Sequence, residues 1–208
     1  MKKKILMACL CVALAVLTIA GTTLAYLTST AEVKNTFTVG NVSITLDEKD
    51  VDKLGVPETD KDGNPLPRVN ENDYKLMPGH TYVKDPTVHV AAGSEDCWIF
   101  VKVENGIAAF EAATVEGGYK TIADQIAANG WTPLTGVDGV DGVYYKEYEQ
   151  SKTATDLVVF ENFQIANNAN STDAWKTFTG SKTITVTAYA IQKDGFDTVA
   201  KAWAEVGK

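Results

Sequence analysis

Thr183-Ile184-Thr185-Val186-Thr187-Ala188-Tyr189-Ala190-Ile191 is the stretch that decides the fold class. Threonines alternate with aliphatic residues over most of its length, the period of two that sends successive side chains to opposite faces of a strand. One apolar and one polar face belong to an antiparallel sheet packed on one side. The alternation recurs near the other end of the chain, in Phe37-Thr38-Val39 and Val42-Ser43-Ile44-Thr45-Leu46. Between them, Tyr74 to Val90 reads as two strands about a Pro78-Gly79 turn, and Trp98 to Val103 as a central strand apolar on both faces. Trp131 to Leu134 and Val143 to Tyr148 read as strands around two Asp-Gly turn signals, Asp138-Gly139 and Asp141-Gly142, with Leu157 to Ile165 a further strand.

Two segments carry the helical period instead. Ile122, Ala123, Ile126 and Ala127 place a helix over Tyr119 to Asn129, stopped by Asn129-Gly130. Val199, Ala202, Trp203 and Val206 form one stripe over Phe196 to Val206. The sum is a mainly β protein, a jelly-roll-like antiparallel β-sandwich with a short helical insertion and a short C-terminal helix. Val51 to Asn72, with Gly55, Pro57, Gly63, Pro65 and Pro67, reads as a long loop. Within it Asp60-Lys61-Asp62-Gly63-Asn64 resembles the start of a calcium loop. Val69 stands where the bidentate glutamate belongs, so a plain Asp-Gly turn is the simpler reading.

The N-terminus is built for export. Lys2, Lys3 and Lys4 precede an uncharged apolar run from Ile5 to Ala20, and Thr23-Leu24-Ala25 supplies small residues before a cut. Residues 1–25 are therefore read as a signal peptide cleaved between Ala25 and Tyr26, leaving no membrane span. The rival is a retained anchor, since Ile5 to Ala25 approaches the ~20 residues that cross a bilayer. Thr18, Gly21, Thr22 and Thr23 dilute its last turn. After cleavage, residues 26–36 form a free strand ahead of one sandwich domain over 37–208. Leu27, Ser29, Ala31 and Val33 share its mildly apolar face, with Tyr26, Thr28, Thr30 and Glu32 on the other.

Charge and chemistry narrow the function. The 208-residue chain carries −8, and loss of the three lysines takes it to about −11, which disfavours nucleic acid and anionic membrane as partners. Cys9 and Cys11 leave with the signal peptide, Cys9 lying too near its start for lipid attachment, and Cys97 remains as a core thiol. The histidines are His80 and His89. There is no His-Glu-x-x-His helix, Gly-x-Ser-x-Gly elbow or phosphate loop, so neither enzyme nor cofactor is expected. Trp98, Trp131, Trp175 and Trp203 read as core and edge packing before a carbohydrate platform. What remains is association by strand addition, whose main-chain bonds need no special side chains.

Ala25-Tyr26-Leu27-Thr28, followed by Asn35-Thr36-Phe37-Thr38-Val39-Gly40-Asn41-Val42, resembles the camelysin and TasA family of Gram-positive exported proteins. Leu76-Met77-Pro78-Gly79 with Lys84-Asp85, and the strand from Thr183 to Ile191, are similar to further parts of that pattern. The resemblance implies a jelly roll, export through a dedicated signal peptidase, and a place at the cell surface or in the extracellular matrix. It also implies assembly into biofilm-matrix fibres, each subunit donating its N-terminal strand to the next, with other matrix proteins as further partners. Camelysins also bear a metallopeptidase label, for which this sequence lacks the usual zinc helix. A secreted fibre subunit is the first reading. A monomeric surface adhesin or binding module, and a secreted metallopeptidase, are the alternatives.

Overall fold

The computed structural model describes residues 41–113, 119–177 and 182–206. They all belong to the unit that begins at Gly40. The segments read as a signal peptide, as its cleavage site at Ala25 and Tyr26, and as a free strand with Leu27, Ser29, Ala31 and Val33 lie outside the described residues. In chain order the strands are β1 (Ile44–Asp47), β2 (Thr81–Val83), β3 (Thr87–Val90), β4 (Cys97–Asn105), β5 (Thr132–Pro133), β6 (Val143–Tyr148), β7 (Thr155–Val158), β8 (Asn162–Gln164) and β9 (Ile184–Gln192). The α-helices are α1 (Ile122–Ala128), α2 (Asp173–Lys176) and α3 (Val199–Glu205).

The strands pair antiparallel throughout, in sheets ordered β1-β3-β7 and β5-β6-β4-β9 with a β2-β8 ribbon. Val88 and Val90 from the first sheet and Ile99 and Val101 from the second meet, fully buried, in one core. β4 is apolar on both faces, as its sequence suggested, because each face is covered. Its odd residues fill the inner core, while Phe100 turns outward into a second cluster under α3. The same device explains the end of β9. The face that begins with Thr185 and Thr187 continues as Tyr189, and α3 roofs it: the Trp203 ring lies 5.6 Å from Tyr189 and 5.2 Å from Phe100. Thr198 caps α3 and Thr121 caps α1, the latter reciprocally with Asp124, so the insertion helix starts at Ile122 and not at Tyr119.

Two segments differ from their sequence reading. Tyr74 to Met77 is not a strand. The Tyr82 hydroxyl accepts from the Met77 N–H and donates to the Lys75 carbonyl, both at 2.7 Å, taking up bonds a ladder would need. The stretch from Leu157 to Ile165 is two strands, β7 and β8, in different sheets. At the crossing, buried Gln125 of α1 accepts from the N–H groups of Glu161 (3.0 Å) and Asn162 (3.2 Å). One side chain thus supplies the partners that backbone leaving a ladder would otherwise lack. The Asp-Gly signals fare better. Gly142 turns at φ +74°, and a β-carbon there would lie 2.4 Å from the Val103 carbonyl oxygen, so only glycine fits.

Candidate functional site

The two sides of the sandwich are finished differently. On one side, the Trp131 indole N–H donates to the Val158 carbonyl at the edge of β7 (2.8 Å), and β5 ends in Pro133, which has no N–H. Part of that side is therefore already taken up by a side chain and a short strand. On the other, β1 and β9 are the outermost strands of their sheets and lie against each other, and among the described residues neither edge carries a further strand.

Backbone alternation fixes what this seam presents. Ser43 accepts from Ala91 next to β3, whereas Glu48 exchanges both backbone bonds with Val69 on the outer side (2.7 and 2.8 Å). Ile44 and Leu46, in step with Glu48, therefore turn their N–H and C=O groups outward. Thr183 accepts from Gly106 next to β4, so Ile184, Val186, Ala188 and Ala190 do the same along β9. Their side chains point inward yet are only half-buried, whereas their neighbours in β3 and β4 are sealed. A cleft of about 790 Å³ opens here, lined by Leu46, Glu48, Tyr74, Trp175, Ile184 and Val186 among others.

Two charged clusters flank the cleft. On its floor, Glu48 is buried and receives the Lys84 ammonium on one carboxylate oxygen and the Asn72 amide on the other. On the outer face of the three-stranded sheet, His89 stands between two strands. Its Nε2 lies 2.8 Å from Asp47 Oδ1 on β1, and its Nδ1 lies 2.7 Å from Asp156 Oδ1 on β7. Arg68 binds Asp47 through Nε and Asp85 through Nη1 (3.0 Å). Burial disfavours the His89 imidazolium, but the hydrogen bonds to Asp156 and Asp47 outweigh it and raise the pKa above the ordinary value. Burial also opposes ionisation of Asp47, and the bonds from Arg68 and His89 reverse that, holding its carboxyl below the usual range.

The other candidate groups are dispersed. His80 directs Nε2 to the Leu54 carbonyl (2.8 Å), away from His89. Asp60 Oδ1 is turned inward, accepting from the backbone of Asp62 (2.8 Å) and Asn64 (2.9 Å), which is an Asx turn. Cys97 is fully buried, and burial together with Asp96 pushes its thiol up to about 11. Trp131 is buried, and Trp98, Trp175 and Trp203 pack against the two cores. Among the described residues no three His, Cys, Asp or Glu side chains converge on a metal position. The seam went unread in the sequence because an open edge is a relation between strands, although the alternation of β1 and β9 was plain.

The fold and seam define a mainly antiparallel β protein in which, among the described residues, the adjoining β1 and β9 edges carry no further strand. Residues 1–56 match the family model described as camelysin metallo-endopeptidase, which bears out the resemblance of its N-terminal motifs to the camelysin and TasA family. The match includes β1, the first wall of the seam, and ends in the loop after it. No curated protein and no solved structure matches the chain.

Proposed function

We propose that this chain is an exported structural subunit that assembles into extracellular fibres by donating residues 26–36 to the seam of a neighbour. The observation that supports the reading is that two strand edges, unpaired by a further strand among the described residues, adjoin over inward side chains that remain half-buried. A strand laid there would gain main-chain bonds worth roughly 0.5–1.5 kcal/mol each. Burying Leu27 and Val33 adds about 3 kcal/mol. Ordering the donor costs about 1–2 kcal/mol per residue, so the balance is set by the acceptor, whose outward backbone groups and half-exposed core are satisfied by the same event. β9 is the better acceptor, because β1 is already occupied at Glu48 by Val69.

Negative-stain microscopy of secreted protein tests this. The parent chain should form fibres, and deletion of residues 26–36 should give a folded monomer that forms none. Val33→Asp should weaken assembly without unfolding the domain. Fibres of normal length from the deletion protein would end the donor-strand reading.

The description of the matching family favours a second reading, a secreted metallopeptidase. The described residues do not fit a zinc site: His80 and His89 face different partners, and both ring nitrogens of His89 are engaged by carboxylates. Zinc-dependent hydrolysis of an unstructured protein, lost in the His80→Ala/His89→Ala double variant, would establish that reading.

A further inference from the structure

We infer that Lys84 and Asn72 become joined by an intramolecular amide bond, with Glu48 carrying the protons. Three side chains of complementary chemistry meet in the floor of the cleft. The Lys84 side chain is 11% exposed and that of Glu48 4%. Burying an ammonium and a carboxylate together is costly, and a hydrophobic pair of similar size is often at least as stable, so stability alone is a weak account of why this pair is here. Lys84 Nζ lies on Glu48 Oε2 while Asn72 Nδ2 donates to Glu48 Oε1 at 2.9 Å. The amine and the carboxamide are thus held on the two oxygens of one carboxylate.

The remaining contacts hold the carboxamide still. Asn72 Nδ2 also donates to the Lys49 carbonyl (2.8 Å), and Asn72 Oδ1 accepts from the Val51 N–H (3.0 Å). That N–H polarises the carbonyl and is placed to stabilise the oxyanion that attack on Cγ would create. The Tyr74 ring lies beside the amine, its centroid 6.0 Å from Lys84 Nζ. Burial, helped by the charges of Glu48 and Asp85, pushes the Tyr74 hydroxyl well above its ordinary range, which marks the surroundings as poorly solvated.

The chemistry balances without oxidant or cofactor. Glu48 takes a proton from the Lys84 ammonium, and the freed lone pair forms a bond from Nζ to Asn72 Cγ. The bond from Cγ to the original amide nitrogen then breaks. Of the three ammonium protons, one stays on the new amide N–H. The other two pass by way of Glu48 to the departing nitrogen, which leaves as ammonium through the cleft, and Glu48 ends as the carboxylate it began. Holding the partners together replaces activation of the amide, since well-oriented intramolecular reactions reach effective concentrations of about 10⁵–10⁸ M.

The intact mass of the purified parent protein, referred to its observed N-terminus, should be lower than the sequence mass by one ammonia. Tandem mass spectrometry of a protease digest should show a branched peptide joining Lys84 to Asn72. Lys84→Met and Glu48→Gln should each return the full sequence mass. An unreduced parent mass overturns the inference, whatever the variants do. So does an ammonia loss mapped to a succinimide at Asn105-Gly106 or Asn129-Gly130. A cross-link that persists in folded Glu48→Gln removes Glu48 from the reaction. None of these readings depends on whether the protein forms fibres.

Discussion

His89 shows how much one side chain can carry when it sits on the middle strand of a small sheet. A neutral imidazole has one N–H, so it satisfies one of the two facing carboxylates and turns a lone pair toward the other. Both bonds at once require the imidazolium, which then ties β1 to β7 across β3. The sign of the pH effect follows. The folded pKa of His89 is raised, so its contribution is complete below the ordinary value of about 6.5 and is lost as pH rises through the folded value. The folded pKa of Asp47 is lowered, so its contribution is complete above about 4 and is lost as pH falls through the folded value. Thermal stability is expected to be highest between these limits and to decline on either side of them, with the amides of Thr45 and Asp47 losing hydrogen-exchange protection first on the alkaline side. His89→Gln should flatten the alkaline limb and also weaken the acid limb, which Arg68 then supports without the histidine. An alkaline limb unchanged in the variant would assign that decline to other groups. Other charges face this cluster too: Arg68 reaches Asp47 and Asp85, and Lys49 reaches Asp85, so histidine titration changes one charge within a balanced set.

At the scale of elements, the same logic governs where strands stop. β7 and β8 form one apolar run in the sequence, and the break between them is dictated by Gln125, a polar residue on the apolar side of α1. Gln125→Leu keeps the volume and removes the partners of two backbone N–H groups, so it should cost about 1–3 kcal/mol. Denaturant unfolding checks the magnitude, and early exchange at Glu161 and Asn162 checks the location. Thr121→Ala, which removes the cap of α1, should cost about 1 kcal/mol in the same assay. These cases also mark what was legible in the sequence. β4, β6, β9 and the stripe of α3 were, because alternation and helical period are local and the core enforces them. The division of Leu157 to Ile165 was not, because the deciding residue belongs to another element. Tyr74 to Met77 misled for a related reason: its pattern suits a strand, but the Tyr82 hydroxyl claims its backbone. His89 alternates with Val88 and Val90 and so falls on the face opposite them, but its two carboxylates come from strands far apart in sequence. The open seam belongs to this second group. β1 pairs with β3 and β9 with β4, and which edges are left over follows only from those pairings.

For the whole molecule, the proposed assembly must overcome self-repulsion before any strand is exchanged. A subunit cleaved, as proposed, between Ala25 and Tyr26 would carry about −11, and a fibre would stack such subunits at short range. Protonating surface carboxylates as pH falls toward the full-chain pI of about 4.8 lowers that barrier, although the subunit without Lys2, Lys3 and Lys4 reaches neutrality only below that value. Light scattering by the mature protein should therefore rise as pH falls from about 6 to 5, the upper part of the range over which ordinary carboxylates begin to titrate. Raising salt at pH 7 should produce part of the same rise, because the Debye length shortens from about 10 Å at 0.1 M to about 3 Å at 1 M. Two further chains separate charge from the other contributions. His89 is already an imidazolium across that acid range, so His89→Gln removes one constant positive charge and should move the acid midpoint of assembly slightly lower while it alters alkaline stability. The protein lacking residues 26–36 should stay clear under both treatments, since neutralising a subunit with no donor leaves it nothing to insert. If scattering is flat between pH 6 and 5, or greater at pH 8, charge is not the controlling barrier. If the deletion protein scatters as strongly as the parent, acid is causing precipitation and not strand exchange.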